Sequence, residues 1–299
     1  MAGTEHVIGF VGIGNMGAPM VRCLSKAGFS VRIYDTRSEA ASACAAEAPN
    51  ITVANGLAEV GQGLGTVITM LPDSKIVRLA TLGSDTSPGF ARNMLAGGLI
   101  IDMSSSYPID TQMLAKDLAR LDLKLIDAPV SGGVPKAKAG TLAIMAGGDA
   151  SLIDRAEPAL KAMGSIHRTG PLGSGHAMKA LNNYVSVAGL IASCEALLVG
   201  AKFGLDPSVM TKVLNASTGR NNTTENKLAQ YIISRTFGSG FSLALMNKDV
   251  GMAASLAKEL GIKADELAFC AELLAKAAKA LGPGADHTAI MKFLEPQGK

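Results

Sequence analysis

The sequence predicts an α/β protein whose first half is a doubly wound parallel sheet and whose second half is all-helical. In the first half, short apolar runs alternate with helical patterns, as in a parallel sheet covered by helices on both faces. After about residue 169 the strand patterns stop, and the chain becomes rich in Ala, Leu, Lys and Glu with helical spacing. We therefore predict two domains, residues 1–169 and residues 170–299, joined by a long helix.

The individual elements follow from the spacing of apolar residues. The predicted strands are short apolar runs bounded by turn residues: His6–Val11, Ser30–Tyr34, Thr66–Leu71, Leu99–Met103, Lys124–Pro129, Thr141–Ala146 and Ile166–Arg168. Helices between them are predicted at Asn15–Ala27, Pro108–Leu121 and Ala150–Met163. The second half is predicted as helices at His176–Phe203, Pro207–Ala216, Leu243–Leu260, Ala264–Leu281 and His287–Leu294.

The composition is that of a globular chain with a large core and little net charge. Apolar residues make up 48% and charged residues 18%, which excludes general disorder. A net charge of +3 without a basic block, and only 4% aromatic residues, argue against nucleic-acid and anionic-membrane partners. The longest uncharged apolar stretch, Ala180 to Cys194, is too short to span a bilayer. The four cysteines lie apart from one another and from histidines, so we expect reduced thiols, no metal site and a cytoplasmic protein.

A glycine-rich turn follows the first predicted strand and opens the first helix. It reads Gly12-Ile13-Gly14-Asn15-Met16-Gly17. In this pattern Gly12 permits a tight turn, Gly14 lets the backbone approach a pyrophosphate, and Gly17 lets the helix pack on the strand. The N–H groups at Asn15 and Met16, at the start of the helix, favour phosphate. An ordinary glycine-rich turn is the alternative, but the strand before and the helix after it indicate a dinucleotide-binding Rossmann domain.

An acidic residue, Asp35, ends the second predicted strand. A carboxylate at this place accepts hydrogen bonds from the ribose hydroxyls of NAD and repels a 2′-phosphate. Arg37, two residues later, could contact a phosphate, but we favour a solvated position at the start of a helix. The sequence therefore predicts NAD as the cofactor in preference to NADP.

Six blocks of sequence follow one another along nearly the whole chain. They are Phe10–Met20, Met70–Pro72, Asp102–Ser105, Asp127–Gly133, Gly175–Asn183 and Leu245–Asp249. In this order they resemble the β-hydroxyacid dehydrogenases, the family of 3-hydroxyisobutyrate dehydrogenase-like enzymes. The resemblance implies reversible hydride transfer between NAD and a small β-hydroxy acid or semialdehyde, in a homodimer or homotetramer.

The resemblance also implies which residues perform the chemistry. Lys179 matches the family's general acid and base. An ordinary lysine has a pKa of about 10.4, so burial, the charge of oxidised nicotinamide and a helix N-terminus are needed to favour its neutral form. Asn183 lies one turn further along the same helix face and is implied to orient the amine and bind substrate. Taken alone, Lys179 is typical of a solvated lysine.

A loop after the fifth predicted strand is implied to hold the substrate carboxylate. The Ser131 hydroxyl and the backbone N–H groups of Gly132 and Gly133 are the expected donors. A simple glycine-rich turn is the alternative. Arg220 is a second candidate for the carboxylate by bidentate pairing, with a structural cap or an interface arginine left open as its other role.

The remaining implied contacts concern the cofactor. Leu71, Pro72 and Ser105 are implied to border it, although Leu71-Pro72 is also typical of a strand-ending turn. Lys248 is implied to contact cofactor or substrate, with a surface ion pair to Asp249 as the alternative. We expect the two remaining histidines of interest, at positions 176 and 287, in solvent or at helix caps.

Two other functions remain open. One is a reductase of tartronate semialdehyde (2-hydroxy-3-oxopropionate) or a related semialdehyde that uses NADPH, and the other is a non-catalytic dinucleotide-binding relative. The presence of Lys179 and Ser131 argues against the latter, and Lys179 also argues against an imine reductase. A 6-phosphogluconate dehydrogenase would be longer and would carry His in place of Asn182. No motif reports the substrate, for which 3-hydroxyisobutyrate, tartronate semialdehyde or glycerate, L-serine, L-threonate and sulfolactaldehyde are the candidates.

Overall fold

The computed structural model describes residues 7–296 and divides into two units between Lys179 and Ala180. The strands belong to the first unit: β1 (Val7–Val11), β2 (Ser30–Tyr34), β3 (Ile51–Val53), β4 (Thr66–Thr69), β5 (Leu99–Asp102), β6 (Lys124–Asp127), β7 (Val130–Ser131), β8 (Leu142–Gly147) and β9 (Gly164–Gly170). Its helices are α1 (Gly17–Lys26), α2 (Ser38–Ala45), α3 (Leu57–Val60), α4 (Ser74–Leu82), α5 (Pro108–Ala119), α6 (Gly133–Ala139) and α7 (Ala150–Lys161).

One sheet forms the centre of this unit. Six strands run parallel in the order β3-β2-β1-β4-β5-β6, so that the chain direction across the sheet reverses between β1 and β4. Ligands of such sheets bind beyond the carboxyl ends of the strands at this switch point. The predicted doubly wound parallel sheet is confirmed. The sheet is extended by β8, which runs antiparallel to β6 and β7 and parallel to β9.

The strands at the centre of the sheet are buried on both faces. Leu99, Ile100 and Ile101 of β5 are each 0% exposed, and so is Ile68 of β4. Continuous burial of this kind explains why these strands are unbroken apolar runs in the sequence rather than alternating ones. The helices on the two faces contribute the rest of the core.

The second unit is all-helical, as predicted. A long helix, α8 (Ser174–Phe203), begins in the first unit and continues into the second. The others are α9 (Pro207–Ala216), α10 (Asn222–Asn226), a π-helical segment (Leu228–Ile233), α11 (Leu243–Glu259), α12 (Asp265–Leu281), a 3₁₀ turn (His287–Ala289) and α13 (Ile290–Leu294). Several helices start at capping side chains that accept hydrogen bonds from first-turn N–H groups, among them Asp206, Asn221 and Ser242.

Helix α8 has 30 residues and supplies much of the core of the second unit. Val187, Leu190 and Cys194 are each 0% exposed. Within residues 7–296, α8 alone is long and apolar enough to cross a membrane by length and composition. Core helices of globular proteins meet the same criterion, so this property does not assign the helix to a membrane.

The predicted elements are found with shifted ends, and several short ones were missed. The predicted start of the first strand at His6 lies outside the described residues. The missed elements are nine residues or fewer in length: β3, β7, α2, α3, α4, α6, α10 and the π-helical segment. The boundary between residues 169 and 170 stays a prediction.

Candidate active site

The glycine-rich turn connects β1 to α1 at the switch point of the sheet. Gly12 has a φ of +102°, and a Cβ there would lie 2.3 Å from the carbonyl oxygen of Met70. A Cβ on Gly17 would lie 1.9 Å from the carbonyl oxygen of Gly12. At Gly14 the nearest atom to such a Cβ is Arg37 Nη2, at 3.8 Å. Packing therefore requires glycine at the two ends of the turn, while the middle glycine borders open space that a ligand can approach.

Asp35 lies beside this turn and is tied to it. The N–H of Ile13 donates to Asp35 Oδ2 at 2.7 Å, and Arg37 donates to Asp35 Oδ1 from its backbone N–H at 2.8 Å and from Nε at 3.3 Å. Burial alone would raise the pKa of Asp35, but these hydrogen bonds and the Arg37 charge outweigh burial and lower that pKa. The carboxylate is therefore charged at neutral pH. The Arg37 side chain is 65% exposed, in keeping with the expected solvated position.

A groove of about 400 Å³ runs along the glycine turn. Its lining includes Gly14 and Asn15 together with Lys138, with Arg37, which pairs with Asp35, and with Arg22, which pairs with Glu47 of the same lining. Open backbone beside Lys138 and the exposed Arg37 suits a pyrophosphate, and the neighbouring carboxylate of Asp35 suits a ribose. The residues present fit a dinucleotide.

The segments after β4 and β5 lie against the same turn. Leu71 Cδ2 would be 3.1 Å from a Cβ on Gly12, and the N–H of Leu71 donates to Ser104 Oγ at 2.8 Å. Pro72 is exposed and Ser105 is half-buried. The structure thus brings the predicted cofactor residues of the first unit together at the carboxyl ends of β1, β2, β4 and β5. Their contacts with a cofactor stay a prediction.

Two buried carboxylates lie at the ends of β5 and β6, at positions to which the sequence assigned no role. Asp102 and Asp127 are partners in the register of the two strands and are 1% and 0% exposed. Asp127 accepts hydrogen bonds from the N–H groups of Gly173 and His176, both at 2.7 Å. Burial raises the pKa of Asp127, and the nearby His176 opposes that rise. The signal in the sequence was an acid at the end of each of two neighbouring predicted strands.

Helix α8 therefore begins at the carboxyl end of β6, and Lys179 lies in its second turn. Lys179 is 9% exposed, which is low for a lysine. A Cβ on Gly175 would lie 2.2 Å from the carbonyl oxygen of Met145 and 2.9 Å from Asp127 Oδ2. Glycine at this position lets the helix start pack directly on the sheet. The expected burial of Lys179 is observed, and its catalytic role stays a prediction.

The segment from Ser131 to Gly133 is a direct junction between strand β7 and helix α6 rather than a loop. Ser131 ends β7, pairs with Ala143 of β8 and is half-buried. Gly132 precedes α6 with a φ of +130°, and Gly133 is its first residue with a φ of +66°. Both glycines are exposed. Their role in binding a carboxylate stays a prediction.

The remaining candidate residues lie in the second unit. Asn183 Nδ2 donates to Asp249 Oδ2 at 2.6 Å, and Lys248 Nζ lies 3.2 Å from Asp249 Oδ1. Asn183 and Asp249 are 5% and 1% exposed, so this is a largely buried group rather than a surface ion pair. Arg220 is exposed and pairs with Glu225 at 3.5 Å, outside this group.

The placement expected for the two histidines was wrong. His176 is 1% exposed and His287 is 2% exposed. Each ring has hydrogen-bond partners, which is how a buried imidazole is accommodated. Sequence patterns do not distinguish such a histidine from a solvated one.

Two protein families match the chain. The family described as the NAD binding domain of 6-phosphogluconate dehydrogenase matches residues 7–176. The family described as NAD-binding of NADP-dependent 3-hydroxyisobutyrate dehydrogenase matches residues 173–294. Together they cover almost the whole chain.

Relatives of known activity match over most of their length. The chain is 36% identical to 3-hydroxyisobutyrate dehydrogenase of Pseudomonas aeruginosa, over 84% of this chain and 85% of that one. It is 32% identical to 2-hydroxy-3-oxopropionate reductase of Escherichia coli, over 96% and 97%. A solved structure of Mycobacterium tuberculosis 3-hydroxyisobutyrate dehydrogenase with L-serine superposes with a TM-score of 0.88 at 34% identity, covering 97% of this chain and 99% of that one.

These matches agree with the geometry of the turn, the acid and the sheet edge. The protein is an enzyme, and NAD is its cofactor. The chain belongs to the β-hydroxyacid dehydrogenases, the oxidoreductases that transfer a hydride between hydroxy acids and NAD(P).

Proposed function

We propose that this enzyme reversibly oxidises a small β-hydroxy acid of the 3-hydroxyisobutyrate type, with Lys179 as general acid and base. The observation that carries the proposal is the burial of Lys179, 9% exposed, on the helix that Asp127 anchors at the carboxyl edge of the sheet. The glycine turn and Asp35 lie at this same edge. A lysine amine is rarely buried unless it has a task or a partner there.

The cofactor is held, in this proposal, by the glycine turn and its neighbours. The pyrophosphate lies against Gly12, Gly14, Asn15, Met16 and Gly17, and the adenosine ribose lies at Asp35. The nicotinamide half is bordered by Leu71, Pro72, Ser105 and Lys248. When bound, NAD supplies the acceptor for a hydride.

Lys179 moves the one proton that the reaction requires. In the oxidation, the neutral amine would take the hydroxyl proton of the alcohol as the C=O bond forms, while bound NAD would supply the acceptor for the hydride of the same carbon. In the reduction, the ammonium returns that proton to the oxygen. Asn183 binds the substrate oxygen and orients the amine. The substrate carboxylate is bound by Ser131 and by the N–H groups of Gly132 and Gly133, with Arg220 as a further candidate.

Turnover of Lys179→Ala tests the proposal. We expect kcat to fall by about 10²- to 10⁴-fold, the usual contribution of a general acid or base. NADH binding, followed by calorimetry or by NADH fluorescence, should stay within about threefold because the amine is not part of the phosphate cradle. Lys202→Ala, an exposed lysine at the other end of the same helix, is the matched control. Near-normal kcat in the Lys179 variant would overturn the role.

A semialdehyde reductase that uses NADPH is the second candidate function. It is supported by the 2-hydroxy-3-oxopropionate reductase relative and by the exposed Arg37 beside Asp35, a cation available to a 2′-phosphate. A kcat/KM panel decides between the two. The substrates are 3-hydroxyisobutyrate, glycerate, L-serine, L-threonate and the corresponding semialdehydes, each with NAD(H) and NADP(H). A protein that binds NADH and turns over none of them is a non-catalytic relative.

We also propose a cytoplasmic homodimer or homotetramer in which residues 170–299 supply the contacts between subunits. Within the second unit, Val185, Val199 and Phe203 on α8 are 67%, 71% and 84% exposed. Large apolar side chains exposed along one helix are typical of an interface between subunits. Light scattering should give a multiple of 30.6 kDa for the wild type and a smaller mass for Val199→Asp/Phe203→Asp. A monomeric wild type contradicts the proposal.

A further inference from the structure

A polar cluster of Asp102, Asp127 and His176 is buried beneath the carboxyl edge of the sheet. None of its side chains takes part in the steps of the proposed reaction. The ring of His176 lies between two carboxylates, with Nε2 3.7 Å from Asp102 Oδ2 and Nδ1 3.8 Å from Asp127 Oδ2. The three side chains are between 0% and 2% exposed. Burying three ionisable groups together costs desolvation energy, so the arrangement needs a reason.

Each nitrogen of the His176 ring takes part in one hydrogen bond. Nε2 lies 3.1 Å from the carbonyl oxygen of Ser104, and Nδ1 lies 2.8 Å from Thr111 Oγ1. A carbonyl oxygen only accepts, so Nε2 carries a proton and donates it. The Thr111 hydroxyl is also 3.2 Å from the carbonyl oxygen of Tyr107, and its single proton serves one of the two contacts at a time.

Ser104 extends this link to the proposed cofactor segments. Its Oγ accepts from the N–H of Leu71 at 2.8 Å, and its own N–H donates to Asp102 Oδ1 at 3.0 Å. Ser104 is therefore the point where the segment after β4 meets the segment after β5, next to Ser105. The ring of His176 is hydrogen-bonded to the carbonyl oxygen of Ser104, and Lys179 follows His176 three residues later on α8.

We propose that His176 is a positioning residue. It fixes the segment around Ser104 and Ser105, which is proposed to border the cofactor, at a set distance from the helix turn that carries Lys179. The proposal rests on the proposed function, because it concerns the distance between the amine and the cofactor. A misplacement of about 1 Å at a reacting centre can cost about 10²-fold in rate. A rigid ring with two opposed nitrogen atoms suits the task of fixing that distance.

The start of α8 is held independently of this ring. Asp127 accepts from the backbone N–H groups of Gly173 and His176, and these bonds persist whatever side chain occupies position 176. A variant at this position should therefore keep the helix and lose only the link to Ser104. This separates positioning from a contribution to folding alone.

The experiment compares three variants. His176→Gln keeps both bonds, since its amide nitrogen can donate to Ser104 and its amide oxygen can accept from Thr111. His176→Asn is polar but one methylene shorter, and His176→Leu has neither group. His167→Gln, at an exposed histidine on β9 in the same unit, is the matched control.

We expect kcat within about threefold of wild type for His176→Gln and His167→Gln. His176→Asn and His176→Leu should lose about 10- to 100-fold in kcat and bind NADH several-fold more weakly, while the KM for the hydroxy acid changes less. Should the Leu variant fail to fold, the Gln and Asn pair carries the comparison. A contribution to stability alone would lower the Tm of the variants and leave kcat at 25 °C normal, and that result overturns the proposal.

The outcome is separable from failure of the proposed function. If the wild type turns over the acids and the Asn and Leu variants do so equally well, the positioning proposal fails by itself. If the wild type turns over none of them, the proposed function fails. The NADH dissociation constants of the variants then test the positioning proposal without turnover. Constants equal to that of the wild type would overturn the proposal that His176 positions the segment around Ser104 and Ser105.

Discussion

Asn183 Nδ2 donates a hydrogen bond of 2.6 Å to Asp249 Oδ2, and both side chains are buried in the second unit. A charged acceptor makes such a bond short and strong. It also helps to fix the amide, whose nitrogen donates to Asp249 while its oxygen accepts from Asn182 Nδ2 at 3.3 Å. The proposed substrate-binding orientation of Asn183 therefore depends on Asp249, which lies in the Leu245–Asp249 block but was considered there only as an ion-pair partner of Lys248.

Asp249→Ala should lower kcat by about 10- to 100-fold, because the amide of Asn183 then keeps only the 3.3 Å hydrogen bond from Asn182 Nδ2. We also expect a loss of about 1–3 kcal/mol in the free energy of unfolding, from the buried donor left without a partner. Steady-state kinetics and urea unfolding measure the two effects. Asp265→Ala, at an acid that is 78% exposed in an ion pair with Lys263, is the control that should change neither. Normal kcat in a folded Asp249→Ala enzyme would contradict the orientation argument.

Asp35→Asn should shift the cofactor preference toward NADP. Removing the negative charge removes repulsion of a 2′-phosphate and leaves Arg37, 65% exposed, available to it. We expect the ratio of kcat/KM for NADPH to that for NADH to rise by about 10-fold or more, equivalent to about 1.4 kcal/mol. Asp85→Asn, in an exposed loop of the same unit, is the control. A wild type that prefers NADPH would show that the interpretation of Asp35 is wrong.

Gly17→Ala should abolish cofactor binding and destabilise the first unit. The added Cβ would lie 1.9 Å from the carbonyl oxygen of Gly12, so the turn and the helix start must separate. We expect a loss of about 1–3 kcal/mol in stability, as for other substitutions that overpack a core, and no heat of NADH binding by calorimetry. Gly251→Ala is the control, because its Cβ meets nothing within 4 Å inside α11. It should stabilise slightly. Intact NADH binding by Gly17→Ala would refute the packing argument.

Asp286 should make the stability of the second unit sensitive to acid. Burial alone would raise its pKa, but hydrogen bonds from His287, Thr288 and Ser239 outweigh burial and hold the pKa well below its usual value. A lowered folded-state pKa stabilises the protein above the unfolded value of about 3.9, and that stability is lost as the pH falls below it. Asp286→Asn should cost about 1–3 kcal/mol at pH 7.

Urea unfolding of the wild type and Asp286→Asn between pH 3 and pH 7 measures this dependence. The difference between the two proteins should shrink as the solution is acidified, and Asp265→Asn should show no such trend. A difference that is constant with pH would disprove the contribution of the Asp286 charge.

The buried thiols should be inert in the native protein. Burial raises the pKa of Cys194 to about 12, and burial together with the charge of Glu266 raises that of Cys270 to about 12. At pH 8 only about one thiol in 10⁴ is then a thiolate, the reactive form. A thiol reagent followed by peptide mass analysis should leave both unmodified until denaturant is added. Rapid labelling of either one in the folded enzyme would contradict their burial.

The sequence predicted the parts of this protein that strong local signals encode. The turn after β1 was predicted from its glycine spacing, Asp35 from its place at the end of a strand, and α8 from its helical spacing of apolar residues. Each of these signals is carried by residues that are close together in the sequence. Strand β3 was missed because its three residues are too few to show an alternating pattern. The π-helical segment was missed because it has more residues per turn than an α-helix, so its apolar residues do not follow the α-helical spacing. The burial of His176 was missed because it depends on Asp102 and Asp127, which approach it only in the folded sheet.

Strand β9 pairs with β8 on one side, and the structure describes no strand on its other side. Such an edge offers backbone groups on which a foreign strand can add. Arg168 lies on this strand and forms ion pairs with Asp154 and Glu157 of α7, so paired charges lie next to the unpaired edge. An incoming strand would have to desolvate these charged groups, which costs free energy. This cost disfavours edge-to-edge pairing of two copies of the enzyme at β9.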